Sequence, residues 1–205
     1  MLKETEVSKA ALGRIPIYLK FLKNLPPYVE SISSTVIARE LGYGEVQVRK
    51  DLGSLCGTGK PKIGYSVDEL TRSLEFFLDS GNGGTVIIGA GKLGCALLDY
   101  VGFADYGLTM LAAFDIKVTD DRYSASGKPI LSMKKFPQFC REHNVKIGII
   151  AVPAEGAQEV CNLLYDNGIK TMWCFAPCRL YKPDDAIIQY ENLALSLAHL
   201  KMQIK

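Results

Sequence analysis

Along the first eighty residues the apolar positions recur with a helical period, whereas beyond them they gather into short continuous runs separated by helical stretches. In the first part, Ile15, Leu19 and Leu22 mark one face of a helix over Arg14 to Leu25, and Ser33/Ser34 caps a second over Thr35 to Leu41. Gly42-Tyr-Gly44 makes a tight turn, and a third helix starts at Glu45, with Val46, Val48 and Leu52 expected to face inward. Residues 10 to 80 thus read as three helices followed by a short turn, the stretch Gly57-Thr-Gly-Lys-Pro-Lys-Ile-Gly64 being a hairpin tip. Helix, glycine turn, helix is the arrangement of helix-turn-helix DNA readers.

The second part alternates strand and helix, which predicts an open, parallel α/β sheet. Thr85 to Ile88 and Leu108 to Asp115 are strand-like, Lys134 to His143 is helical, and Val145 to Val152 is a buried strand stopped by Pro153. Glu155 to Asp166 is an amphipathic helix closed by Asn167-Gly168, and Ile169 to Ala176 is a further strand stopped by Pro177. The predicted layout is α/β: a winged helix-turn-helix domain over 1–80, a Rossmann-like parallel-sheet domain over 81–190, and a C-terminal helix over 191–205.

The strand ending at Ile88 runs into Gly89-Ala90-Gly91-Lys92-Leu93-Gly94 and then an apolar helix, with Asp115 closing the next strand. Gly89 permits the tight turn, Gly91 lets backbone approach a pyrophosphate, Gly94 allows close helix-to-strand packing, and the helix N-terminus offers N–H donors to phosphates. Glycines at this spacing also occur in turns that bind nothing; here the flanking strand, helix and acidic residue favour a dinucleotide. Asp115 is expected to accept from the adenosine ribose hydroxyls and to repel a 2′-phosphate, which selects NADH and NAD⁺ over their phosphorylated relatives, unless it is an ordinary strand-end carboxylate. Ligands of such sheets sit at the carboxyl ends of strands, so Val152-Pro153-Ala154 and Phe175 are expected to face the cofactor, although both loops also serve simply to stop strands.

Net charge is only +2, so affinity for DNA has to come from local clustering. Lys9, Arg14, Lys20 and Lys23 have no acid among them, and from Arg49 to Lys62 only Asp51 opposes Arg49, Lys50, Lys60 and Lys62. Gln47, Arg49 and Lys50 are placed to project from the third helix toward base edges, with Lys60 and Lys62 on a basic wing following phosphates. The plain alternative is a solvated surface, since residues 1 to 80 hold eleven basic and ten acidic side chains. The 48% hydrophobic content suits two small domains with cores of their own. No run of eighteen apolar residues and no apolar signal core appears, so a cytoplasmic protein with no membrane span is expected. Six cysteines without a C-x-x-C pair suggest neither a metal knuckle nor a disulfide framework.

Taken in order, Ser8 to Tyr18, Val48 to Ser54 with Gly59 to Tyr65, Gly89 to Gly94, Ala112 to Asp115, Ala151 to Ala154 and Phe175 to Leu180 resemble the Rex family of redox-sensing transcriptional repressors over nearly the whole chain. The resemblance implies a homodimer whose winged helix holds a palindromic double-stranded operator and whose Rossmann domain senses the NADH to NAD⁺ ratio, NADH releasing the DNA. It implies DNA contacts from Lys9, Arg14, Gln47, Arg49, Lys50, Ser54, Gly59, Lys60 and Lys62. It also implies that the C-terminal helix over Asn192 to Ile204, with a stripe of Leu193, Leu197 and Leu200, swaps into the partner subunit. Two positions depart from the family pattern: Lys92 replaces an asparagine, and Asn192 replaces an aspartate able to pair with an arginine, here Arg14. A nicotinamide pocket of Tyr106, Pro153, Phe175 and Leu193 would favour the uncharged reduced ring. The competing readings are a small NAD-dependent dehydrogenase, for which His143 and His199 offer no evident proton donor with an acidic partner, and a CoA-binding domain, against which Asp115 argues.

Overall fold

The computed structural model describes residues 9–61, 63–79 and 83–204; Lys62 lies outside them, and for Lys9 the backbone alone is described. Chain contacts divide the molecule into two compact units, Met1–Gly81 with Gly102–Gly107, and Asn82–Val101 with Leu108–Lys205. Among the described residues no helix is long and apolar enough to cross a membrane.

The first unit contains α1 (Lys9–Leu12), α2 (Ile15–Lys23), β1 (Ser31–Ile32), α3 (Ser34–Leu41), α4 (Glu45–Cys56), β2 (Tyr65–Ser66) and α5 (Val67–Asp79). On α2, Ile15, Tyr18, Leu19 and Leu22 share one face and are all buried; each such burial stabilises by about 1.5–3 kcal/mol. α3 starts where the Ser33 side chain accepts from the Val36 amide at 3.2 Å, and stops where Gly42 takes φ +70°, letting Tyr43 N–H bond back to Ala38 O at 2.9 Å. Val48 and Leu52, one turn apart on α4, join the same core.

Two sequence expectations need correction. Val46 is 68% exposed rather than inward, because it lies about 200° around the helix from Val48 and so opposite the buried stripe. The short turn expected after the third helix is followed by a fourth long helix, α5, whose Leu70 and Leu74 are fully buried. Its start was there to be read: Ser66 Oγ accepts from the Glu69 amide at 3.4 Å, in an S-x-x-E capping sequence. β1 and β2 pair antiparallel, Ile32 opposite Tyr65, and a Lys60–Gly64 bridge closes the expected wing. Gly64, at φ +90°, has no room for a side chain: a Cβ there would lie 2.3 Å from Ile32 O.

The second unit is a seven-stranded sheet: β3 (Gly84–Ile88), β4 (Met110–Asp115), β5 (Arg122–Tyr123), β6 (Pro129–Ser132), β7 (Val145–Ile150), β8 (Thr171–Cys174) and β9 (Ile187–Tyr190). It is covered by α6 (Lys92–Asp99), α7 (Phe136–Glu142) and α8 (Ala154–Asp166). The strand order is β5-β6-β4-β3-β7-β8-β9, parallel throughout except for the edge pair β5–β6. All five residues of β3 are buried, as a strand covered on both faces requires. Chain order reverses between β3 and β7, so the crevice at their carboxyl ends is the switch point where ligands of this fold bind. The short strands β5, β6 and β9 were not anticipated.

The chain ends in α9 (Leu193–Met202), begun by Asn192, whose side chain accepts from the Leu195 amide at 2.9 Å. Here the expected single apolar stripe is incomplete. Leu193, Leu197 and Leu200 do share a face, yet Leu195 and Met202 project from the opposite one, and all five are more than half exposed.

Candidate functional site

The three motif glycines meet different demands. Gly89 has φ +104°, and a Cβ on it would lie 2.5 Å from Ala151 O, so the chain can turn there only without a side chain. At Gly94 a Cβ would fall 1.9 Å from Gly89 O: α6 rests directly on the loop that precedes it. Gly91 differs, with φ −73° and nothing within 4 Å of where a Cβ would be. Protein packing explains the first two glycines and leaves the third unexplained, whereas a phosphate lying on the backbone accounts for it. Gly91 is the N-cap of α6 with no side-chain cap, so the first-turn N–H groups of Lys92, Leu93 and Gly94 have no partner within the helix. Such a terminus suits an anion.

Asp115 closes β4 and locks the loop. Its Oδ2 accepts from the Ala90 amide and its Oδ1 from the Lys117 amide, both at 2.8 Å. Ala90 N–H is therefore spent on Asp115 and not on a phosphate, while each carboxylate oxygen keeps a second lone pair for a ribose hydroxyl. Lys92 is exposed at the start of α6.

The loop Val152-Pro153-Ala154 follows β7, beside the glycine turn, as Gly89 and Ala151 already imply. Pro153 caps α8 and is exposed; Val152 and Ala154 are half-buried. Phe175 follows β8, its amide donating to Ile150 O at 3.0 Å and its ring set edge-on to Trp173 at 4.5 Å. Tyr106 belongs to the first unit, where Lys20 lies over its ring at 5.5 Å and pairs with Asp105 at 3.1 Å. Leu193 begins α9 with 62% of its surface exposed.

In the first unit, α4 carries Gln47, Arg49 and Lys50 on its exposed side, and Lys60 is exposed on the wing. The basic cluster read from Lys9 to Lys23 is largely neutralised by acids distant in sequence: Arg14 pairs with Asp51, Lys20 with Asp105 and Lys23 with Glu75 at 2.8 Å. Arg14 is no loose phosphate contact. Its Nε and Nη2 donate to the two oxygens of Asp51 at 2.7 and 3.0 Å, and Tyr18 Oη donates to the same carboxylate at 2.8 Å. Asp51 is 6% exposed, and its charge, expected to oppose the wing, faces inward instead. Burial and the bond to Asp51 push the Tyr18 phenol well above its usual range, and Asp51 holds the guanidinium firmly protonated. Sequence reading missed Tyr18 and Asp51 as a polar pair because nothing local links positions 33 residues apart. Ser54 Oγ donates to Asp51 O at 2.7 Å, and Gly59 is small because a Cβ would press 2.9 Å from the Tyr65 ring.

His143 stacks on Phe139 at 3.9 Å with a ring nitrogen 3.1 Å from Phe139 O, an ordinary helix-end packing contact. All six cysteines are free thiols, and burial pushes Cys56, Cys140, Cys161 and Cys174 up, Cys140 to about 11.

Comparison with known proteins adds the following. A family model described as "CoA binding domain" matches residues 81–178, and one described as "Putative DNA-binding protein N-terminus" matches residues 6–53. A redox-sensing transcriptional repressor Rex of Bacteroides thetaiotaomicron is 36% identical over 95% of this chain and 89% of its own. The Rex of Treponema denticola is 37% identical over 98% of this chain and 96% of its own. Among solved structures, RSP in complex with β-NAD⁺ and operator DNA is similar with a TM-score of 0.83 and 32% identity, over 98% of this chain and 94% of that one. RSP in complex with β-NADH gives a TM-score of 0.76 with 30% identity, over 98% and 95%.

Proposed function

Because this chain belongs to the Rex family of redox-sensing transcriptional repressors, we infer that the outward face of α4 and the Lys60 tip hold operator DNA and that NADH, bound on the Gly89 to Gly94 loop, releases it. The protein is a DNA-binding repressor responsive to the NADH to NAD⁺ ratio, and it acts as a regulator without turnover. The observation that carries the cofactor half of this reading is Gly91, a glycine that packing leaves unexplained and a bound pyrophosphate accounts for.

In this reading the first turn of α6 holds the pyrophosphate, Lys92 adds a cation beside it, and Asp115 accepts from the ribose hydroxyls. Val152, Pro153, Ala154 and Phe175 border the nicotinamide end, to which the family resemblance adds Tyr106 and Leu193. NADH and NAD⁺ share everything but the ring, and a neutral ring is buried at lower desolvation cost than a cationic one. Gln47, Arg49, Lys50 and Lys60 face DNA, and the family resemblance adds contacts from Lys9, Ser54, Gly59 and Lys62; Arg14 acts through Asp51 rather than on a phosphate.

α9 favours a homodimer. An isolated helix apolar on opposite faces leaves that surface in water, and a partner subunit covering both faces removes it. A palindromic operator and a cytoplasmic location follow from that dimer and its target. Asn192 cannot form the aspartate–arginine pair seen in the family pattern; it caps α9 instead, and Arg14 has Asp51.

The test is a fluorescence-anisotropy titration with an operator chosen by selection from random sequence. Release by NADH at concentrations where NAD⁺ does little is expected. Tight binding indifferent to both nucleotides would refute the sensing reading. Displacement of NADH by CoA at equal concentration would favour the CoA reading that the family model's description raises; its 3′-phosphate, close to the charge of Asp115, argues for no displacement.

A further inference from the structure

Three of the six cysteines collect where β8 leaves the sheet. Cys161 on α8 and Cys174 at the end of β8 are fully buried, Cys178 is half-buried, and all three pack in one apolar cluster. The Cys174 sulfur lies 3.8 Å from Ala176 O, and the Cys178 amide donates to that same oxygen at 2.8 Å. The thiol of one residue and the backbone of the other thus converge on a single atom, across the short loop Phe175-Ala176-Pro177. Burial pushes the Cys174 thiol up, and Cys178 and Cys161 lie near enough to push it further. Cys161 meets the far end of the loop, its sulfur 4.0 Å from Tyr181 O. Both ends of the loop are held. The Phe175 amide donates to Ile150 O at 3.0 Å, Gln158 bonds both backbone groups of Tyr181 at 2.9 and 2.8 Å, and Leu180 N–H donates to Tyr190 Oη at 3.1 Å. Neither the dinucleotide loop nor the DNA-reading helix uses these thiols.

We propose that Cys174 and Cys178 form a reversible intrachain disulfide with hydrogen peroxide as the oxidant, a modification site on the loop that borders the nicotinamide. Cys178 has the exposed surface, so it meets peroxide first. Its thiolate sulfur attacks one peroxide oxygen, the O–O bond breaks, hydroxide leaves and takes up the thiol's proton as water, and a sulfenic acid remains. The Cys174 sulfur then attacks that sulfur, the S–O bond breaks, and the departing hydroxide takes the Cys174 proton as a second water. Two thiols lose two electrons and peroxide gains them. Exchange with a small dithiol restores both thiols, as befits a transient disulfide in a reducing compartment. To form the bond Cys174 has to leave Ala176 O, and because both ends of the loop are held, the adjustment falls on the segment that carries the Phe175 ring. Loss of one aromatic contact lowers NADH affinity by about three- to tenfold. Peroxide would therefore keep the repressor on its operator against NADH. This consequence rests on the proposed cofactor site; the bond itself does not.

The full-length chain, freed of reductant, is treated with hydrogen peroxide, alkylated, digested with trypsin and weighed by mass spectrometry. Cleavage after Lys170 and Arg179 leaves both cysteines in the peptide Thr171–Arg179. An internal disulfide is expected to appear as that peptide unalkylated and lighter by two hydrogens, returning to two alkylated thiols when dithiothreitol precedes alkylation. NADH fluorescence titrations on the same samples should show the affinity lowered by the factor given above and restored by dithiothreitol. Cys178→Ser is expected to bind NADH as wild type does and to keep that affinity through peroxide. Cys174→Ala should stop at the sulfenic acid, which dimedone labels on Cys178. A peptide joined to the one carrying Cys161, Cys178 driven to sulfinic acid with Cys174 still a thiol, or a disulfide that leaves NADH affinity unchanged overturns the proposal. Wild type that binds no NADH before treatment refutes the cofactor reading instead, while the mass of Thr171–Arg179 still decides the bond.

Discussion

Substituting Gly91 by Val separates cofactor binding from folding. At φ −73° and ψ −170° the backbone there is open to any residue, and a side chain would meet no atom within 4 Å. Loss of an N-cap glycine costs about 0.5–1 kcal/mol, and the stiffer unfolded chain returns about 0.4–1 kcal/mol, so net stability should move by less than about 1 kcal/mol. For a chain of this size that is a shift of no more than about 2–4 °C in Tm. The same isopropyl group stands between a pyrophosphate and the first-turn N–H groups of α6. Each charge-assisted bond lost is worth about 1.5–3 kcal/mol, so NADH affinity should fall about 100-fold or more. Binding of NADH is read by its fluorescence, folding by thermal melts and operator binding by anisotropy. The variant should melt normally, bind operator normally and ignore NADH. NADH affinity within about threefold of wild type in a normally folded variant would show that no phosphate lies on Gly91; loss of DNA binding in a folded variant would show that the two functions do not separate.

The companion glycine gives the opposite outcome: Gly94→Ala drives a Cβ against Gly89 O, and such overpacking costs about 1–3 kcal/mol, so Tm should drop by about 5 °C with NADH binding weakened in parallel. Arg49→Ala and Lys50→Ala should each weaken operator binding by about tenfold and leave the NADH titration of the free protein unchanged, since both side chains are exposed on α4. Asp51→Ala should destabilise by about 3 kcal/mol in denaturant melts, because Arg14 and the Tyr18 hydroxyl both lose their buried acceptor. Tyr18 also sets an alkaline limit. Its folded pKa is raised above the ordinary 10.0, first by burial and then by Asp51, so its contribution is complete below about pH 10 and lost as pH rises further, the unfolded chain ionising first. Stability measured from pH 9 to 11.5 should fall more steeply in wild type than in Tyr18→Phe; parallel curves would refute this.

Much of the architecture is local and so could be read from the chain. The run Val86 to Ile88 reads as a buried strand because nothing polar interrupts it, and the glycine spacing after it has few structural uses. The Ser33 cap, the Gly42 turn and the Lys60 tip likewise depend on neighbours a few residues away. Short strands such as β5 and β9 escaped because two to four residues hold too little pattern to separate from a loop, and only pairing with a neighbour makes them strands. α5 was legible through Ser66, Glu69, Leu70 and Leu74, and went unread.

Charge was the least legible property, because its effect depends on distance in space. By sequence Lys20, Lys23 and Arg14 form an unopposed basic run; in the structure each faces an acid that the chain delivers from far away, and Asp51 turns from a surface acid into a buried anchor. The glycine motif made a similar division. Sequence by itself set where a dinucleotide loop falls and which acid ends the next strand, since those follow from residue type and spacing. Tertiary structure alone decided that Gly89 and Gly94 serve packing and that Gly91 is left open, because the atoms that occupy or leave open the space around a residue come from parts of the chain that no local pattern specifies.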